Sequence, residues 1–429
     1  MYGLGGVLAK SISFFTLPIY TRIFSPSDFG TIEMLTVISS FIGSILHMGM
    51  DSAQSMYFFK YKEEGKEKQA SIVSSILQWR LIFGSMIVLL STALSPILNS
   101  VFFGGKLEWE LFLISFSGVM FLQVMSQSAE VMRLLYRPWS YIMVVLSQSL
   151  LGAIIALLLI IKLDQGILGF FLGGLIASLF VMVIGWFQVR NYWRFDKIYI
   201  DLWPQLLRFG SPLVPVSLSM YFMNTSDRWF IQYFHGQDAL GIFAVGAKFA
   251  MLASLAVETF RKAWWPVAMD SMHSDDGEKT FILISNWYVS IGCIIMLILT
   301  FMSPWLVKIF SGPEFHGSWP IVGLLTWKGL LYGFFMICSA GIWKSEKTYL
   351  NLYISLFVMI IGTLINWLLV PGYGAIGASF ATVLTFFIWI LLTIIVSNKL
   401  WSIKFNYLYI FLVFILSISL SYSFSLGYI

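Results

Sequence analysis

Apolar runs of about 20 residues, the length that crosses a bilayer as a helix, recur from one end of this chain to the other. A helix satisfies its own backbone hydrogen bonds where no water reaches, so such runs leave few alternatives. Hydrophobic residues make up 59% of the 429 and charged residues 11%, against about 25% charged in soluble domains. The chain reads as an all-α polytopic membrane protein. A β-barrel would show short alternating segments instead. The net charge of +5 lies in short loops between apolar runs, so no nucleic-acid partner is expected.

Spans are expected near 3–23, 31–50, 79–99, 109–129, 139–161, 166–187, 205–226, 239–258, 281–301, 318–340, 350–370, 375–396 and 407–427. Lys and Arg concentrate in alternate loops. With a cytoplasmic N-terminus the inner loops hold Lys60, Lys62, Arg80, Arg133, Arg190, Arg194, Arg261 and Lys344, among others, while the outer side holds Arg22, Lys106, Lys162, Arg228 and Lys308. This is the positive-inside pattern. The opening residues lack a basic leader region, so the first run is expected to be an uncleaved span. Cys293 and Cys338 lie in apolar runs and read as buried free thiols. Gly169 and Gly173 form a small-xxx-small pair of the kind that lets helices pack closely.

Two similar halves are legible. A charged, aromatic stretch at 191–204 ends in proline and reads as a cytoplasmic linker. It separates an N-terminal six-helix lobe at 1–190 from a C-terminal one at 205–398, with an additional C-terminal helix at 399–429. Gly166-Ile-Leu-Gly169 opens the sixth span and Gly374-Ala-Ile-Gly377 the twelfth. Arg22, Asp28 and Gly30 follow the first span in the order in which Arg228, Asp238 and Gly241 follow the seventh. Pro18 and Pro215 interrupt the same two spans and are the candidate hinges. Interrupted helices at matching places in two halves point to a transport site.

Charge at membrane depth is costly and therefore informative. Lys10, Lys248 and Lys328 lie within spans, and Arg22 and Arg228 at outer ends. No acid is expected at mid-depth. These five cations predict a positive, water-filled cavity that attracts an anion such as phosphate or pyrophosphate. Lys10 and Arg22 are about 120° apart around an ideal helix, so only a bend at Pro18 brings both to one cavity. Glu130 and Arg133, spaced i,i+3, read as a local pair. His47 and Asp51, spaced i,i+4, form a possible proton-responsive couple at an inner helix end. The four histidines are scattered. No nucleophile elbow, Walker loop or zinc spacing is present. The chain reads as no enzyme, with no cofactor and no metal.

The stretch from Gly3 to Gly30, Ser226–Phe234, Leu240–Lys248 and Leu369–Thr382 resemble, in that order, the polysaccharide transporters, the O-antigen (Wzx-type) flippases. The resemblance covers most of the chain. It implies the multidrug/oligosaccharidyl-lipid/polysaccharide exporter fold: two six-helix lobes around a central cavity, as in multidrug exporters, often with two extra helices. It further implies a flippase in the bacterial cytoplasmic (inner) membrane that moves an undecaprenyl-pyrophosphate-linked oligosaccharide by alternating access. Membrane lipid, a polysaccharide polymerase and glycosyltransferases are the partners it brings to mind. Two features depart from that pattern: one additional helix in place of two, and no mid-depth acid to couple an ion. A multidrug antiporter of the same fold and a non-transporting scaffold for polysaccharide assembly stay open as alternatives.

Overall fold

The computed structural model describes residues 2–427, without the side chains of Tyr2 and Leu4; Met1 and residues 428–429 lie outside. Among the described residues there is no strand. Ten helical stretches are long and apolar enough to cross a membrane, and the protein is a multi-pass membrane protein. Two of the ten contain a glycine with non-helical backbone, Gly236 and Gly374, which divides each into two helices. The first helix, α1 (Tyr2–Ile23), carries Lys10, Pro18 and Arg22 and is not among the ten.

The helices form two compact units. The first contains the chain up to Thr16 and Thr31–Tyr221. It holds most of α2 (Pro26–His47), then α3 (Met50–Lys60), α4 (Lys66–Ala93), α5 (Ser95–Phe103), α6 (Trp109–Leu134), α7 (Pro138–Leu163), α8 (Gly166–Val189) and α9 (Trp203–Gly210). The second contains Leu17–Gly30 and the chain from Phe222 onward. It holds most of α10 (Val214–Ser271), then α11 (Gly277–Phe310), α12 (Trp319–Cys338), α13 (Ala340–Lys344), α14 (Tyr349–Leu400) and α15 (Tyr407–Ser425).

Packing inside each unit follows from small residues. Gly173 of α8 lies so close to the Ala156 backbone of α7 that a Cβ would come within 2.5 Å of it, which is the close approach expected of the Gly169–Gly173 pair. The opposite faces of these helices leave Ile154, Leu158, Phe180 and Phe187 exposed, as lipid-facing surfaces require. In the second unit Trp327 and Trp389 are fully buried. Cys293 and Cys338 are buried and free.

One crossing in the second unit joins two of the glycines that the sequence reading matched. A side chain at Gly30 would run into the Gln237 carbonyl, and one at Gly241 into the Pro26 carbonyl. Pro26 opens α2, and Gln237 opens the second helix of α10, just after the non-helical Gly236. Each helix start thus meets the partner helix four residues in, a reciprocal crossing that only glycine at both positions admits. Gly166 and Gly374, predicted to open matching spans, both have positive φ, 50 and 54.

Two boundaries differ from the sequence reading. α4 starts at Lys66, so Arg80 sits inside a helix and is 2% exposed instead of lying in an inner loop. The first helix of α10 starts at Val214 and continues to Gly236, well past the expected end at 226. Hydropathy windows shift toward the most apolar residues and so miss polar turns that are still helical. The stretch 191–204 is tied to the first unit. The Arg194 amide donates to Ser74 Oγ at 2.7 Å, the Tyr199 amide donates to Gln78 Oε1 at 2.8 Å, and Tyr192 and Trp193 are buried in its core.

Candidate anion-binding site

Helix α10 brings three polar residues onto one turn in the second unit. Asp227 is 2% exposed. Its Oδ1 accepts from Arg228 Nη1 at 2.8 Å and from the Arg228 amide at 2.9 Å. Its Oδ2 accepts from Thr382 Oγ1 of α14 at 3.4 Å. One turn earlier, the Asn224 carbonyl accepts from Arg228 Nη1 at 3.2 Å and from Lys328 Nζ at 3.3 Å. Lys328 is at the middle of α12, half-buried, with its ammonium 5.6 Å from the Phe386 ring centre. The Arg228 guanidinium lies 5.4 Å from the Phe243 ring centre. Aromatic faces and carbonyls are what a cation uses where water is scarce.

Asp227 and Arg228, expected at an outer span end, fall within the first helix of α10, which runs on to Gly236, and reach Lys328 of α12 through Asn224. Asp227 thus pairs with Arg228 and lies near Lys328, on the same turn of α10.

The other expected cations have separate partners. Lys248, on the second helix of α10, lies 4.7 Å from the Phe29 ring centre, and Phe29 packs edge-on against Phe315. Arg22 is exposed at the end of α1. It caps its own helix, Nη1 donating to the Pro18 carbonyl at 2.7 Å, and reaches the Ile309 carbonyl with Nη2 at 3.5 Å. A cation at a helix C-terminus is favourable for the same reason. The Gly312 amide donates to Thr21 Oγ1 at 3.1 Å, so this end of α1 is fastened to the end of α11. Lys10 is half-buried and belongs to the first unit. Of the five expected cations, Arg228 and Lys328 meet on one carbonyl.

Pro18 lies inside α1, one residue beyond the point where the chain passes from the first unit to the second. Pro215 does not interrupt a helix. It is the second residue of α10, where a proline breaks no internal bond. The interruption lies just before it, in a 3-10 turn, Ser211–Leu213, that contains Pro212.

The first unit holds a second charged group. His47 Nε2 and Asp51 Oδ2 are 2.7 Å apart, and Arg80 pairs with Asp51 Oδ1. Glu130 and Arg133 pair as the spacing predicts, Nε to Oε2 at 2.9 Å, and Ser55 Oγ adds a bond to Glu130 at 3.0 Å. The sequence reading found both same-helix or near-helix pairs but missed Arg80, because the window assigned it to a loop. A polar stripe of Gln69, Ser74, Ser75, Gln78 and Arg80, all buried, was the available signal that α4 starts earlier. No group of His, Cys, Asp and Glu able to hold a metal occurs among the described residues.

The fold has known relatives. It matches the structure of the lipid II flippase MurJ in an inward closed conformation with a TM-score of 0.76 at 16% identity, over 99% of this chain and 92% of that one. An inward-facing multidrug resistance MATE family transporter of the MOP superfamily matches with a TM-score of 0.68 at 16% identity, over 93% of this chain and 94% of that one. In sequence, an Lsg locus protein of Haemophilus influenzae is 23% identical over 278 residues, 63% of this chain. The succinoglycan biosynthesis transport protein ExoT of Rhizobium meliloti is 24% identical over 343 residues, 76% of this chain. Each alignment spans 65% of that relative's length. Residues 1–272 match the family described as polysaccharide biosynthesis protein. That match covers more than half of the sequence, and the chain belongs to the polysaccharide biosynthesis protein family.

Proposed function

We propose that the protein is a flippase for an undecaprenyl-pyrophosphate-linked oligosaccharide, acting by alternating access in the bacterial cytoplasmic membrane during surface polysaccharide synthesis, O-antigen or lipopolysaccharide included. The observation that carries the reading is the pair of cations, Arg228 and Lys328, on one backbone carbonyl at mid-helix. That carbonyl is a neutral acceptor for both cations, and Asp227 also holds Arg228. A pyrophosphate oxygen in its place forms charge-assisted bonds, roughly twice as strong as neutral ones. The membership in a polysaccharide biosynthesis family, and relatives named as a transport protein and a lipid II flippase, support the same reading.

Lys248, Arg22 and Lys10 are proposed as further contacts for the anion as it moves. Pro18 is proposed as a hinge, because the proline removes a backbone donor next to the point where α1 changes unit; Pro215 serves with the adjoining 3-10 turn. The Lys and Arg pattern supports a cytoplasmic N-terminus. A polymerase and glycosyltransferases are the proposed neighbours in the pathway.

Asp227 favours one other reading, a multidrug antiporter, since a buried carboxylate is what an organic cation needs. The two cations beside it oppose that use by repulsion. The two readings separate in proteoliposomes: labelled lipid-linked oligosaccharide should cross with the purified protein present, and a cationic dye should not accumulate under an imposed gradient.

A further inference from the structure

The first unit contains a device that the anion site does not use. α2 ends at His47 and α3 begins at Met50. Between them Met48 and Gly49 both have left-handed backbone, φ 43 and 68. A left-handed methionine is unfavourable by itself, so surrounding contacts must hold the break. Two do. His47 Nε2 and Asp51 Oδ2 meet at 2.7 Å across it. On another side, a Cβ at Gly49 would run into the Gly210 carbonyl, and one at Gly210 into the Met48 carbonyl. Gly210 is the last residue of α9, and the 3-10 turn leading into α10 follows it. Two helix breaks thus rest on each other, and the His47–Asp51 contact staples one of them.

Arg80 of α4 joins the staple from the other side of the carboxylate. It is 2% exposed, pairs with Asp51 Oδ1 and donates to the Gln123 carbonyl of α6. The side chains of His47 and Asp51 are 32% and 31% exposed, whereas Arg80 is closed off. The other charged groups nearby are accounted for. Glu130 and Arg133 on α6 bind each other, with Ser55 of α3 on Glu130. Tyr141 of α7 lies beside that pair. Arg208 on α9 is exposed. His47 is the histidine in this set, the side-chain type suited to taking up and releasing a proton near neutrality.

We propose that His47 is a proton-binding site that sets the α2–α3 break and, through Gly49 and Gly210, the start of α10. A neutral imidazole gives Asp51 an ordinary hydrogen bond. The imidazolium makes it a charge-assisted one. The geometry favours the proton twice over, because His47 closes α2 and Asp51 opens α3, the ends where a helix dipole stabilises a cation and an anion. Protonation tightens the break, and loss of the proton loosens it. The inference names the proton as a ligand of the transporter. Its use in transport rests on the flippase reading; the conformational switch does not.

The test is hydrogen exchange of the full chain in lipid nanodiscs at pH 5.5 and pH 8, corrected for intrinsic exchange, in peptides covering 44–52 and 208–216. Wild type should exchange several-fold faster at pH 8 in both peptides. His47→Lys should stay at the slow level and His47→Gln at the fast level, each without pH dependence. Equal corrected rates at both pH values in wild type, or an undiminished pH effect in His47→Gln, would overturn the proposal. Because no substrate is involved, a protein that fails to flip lipid-linked sugar can still pass or fail this test independently.

Discussion

Arg228 and Lys328 donate to the same acceptor, the Asn224 carbonyl, at 3.2 and 3.3 Å. Two positive side chains from different helices would separate if charge repulsion alone decided. They are held by a carbonyl, by the buried Asp227 carboxylate and by aromatic faces. Arg228 and Lys328 are therefore positioned together, and under the proposed function such preorganised charge would bind an anion more strongly than charge that must be gathered.

The first prediction concerns binding. Lys328→Ala and Arg228→Ala should each weaken the affinity for an undecaprenyl-pyrophosphate lipid by about tenfold or more, a loss of about 1.4 kcal/mol per decade. The matching monophosphate lipid should be less affected. Native mass spectrometry or a thermal shift against titrated lipid measures this. Unchanged affinity in both variants removes the pair from the site.

Asp227 has a structural role that can be read separately. Removing one partner of a buried ion pair leaves the other uncompensated and costs about 3–5 kcal/mol. Asp227→Ala should lower the unfolding temperature clearly in detergent. Asp227→Asn keeps a hydrogen-bond acceptor and should fall between that variant and wild type. If Asp227→Ala unfolds at the wild-type temperature, the carboxylate is not holding the cluster.

The helix crossing gives a sharper steric prediction. Gly30→Ala and Gly241→Ala each place a Cβ against a backbone carbonyl that cannot rotate away, and both should reduce the yield of folded protein severely. Gly174→Ala is the control. Nothing lies within 4 Å of a Cβ there, and replacing a helical glycine by alanine should stabilise by about 0.5–1 kcal/mol. Size-exclusion profiles and melting curves distinguish the three.

Much of this architecture is legible in the residues, and the gaps have physical causes. Helix type follows from apolar length, although thirteen spans are expected from the sequence and ten stretches qualify among the described residues, two of them kinked pairs, with the first expected span not among them. The Glu130–Arg133 and His47–Asp51 pairs were visible because same-face spacing is local. Gly30 and Gly241 were visible as matching glycines, though not as partners, because a reciprocal crossing depends on how helices meet. Asp227 and Arg80 were misplaced for one reason: a hydropathy window ends a span where polarity begins, while the helix continues as long as buried groups find partners. The sharing of Asn224 by Arg228 and Lys328 joins residues 104 apart and has no signature along the chain.

The flippase reading stands or falls on movement of the lipid itself. Purified protein in proteoliposomes, loaded on one leaflet with labelled undecaprenyl-pyrophosphate oligosaccharide, should expose the sugar on the other leaflet at a rate well above protein-free vesicles. The Arg228→Ala, Lys328→Ala double variant, folded and inserted to the wild-type level, should cut that rate by at least about tenfold, and by less than the product of the single effects because the two side chains share one acceptor. Wild-type rates in the double variant, or no movement above background with the wild-type protein, would contradict it.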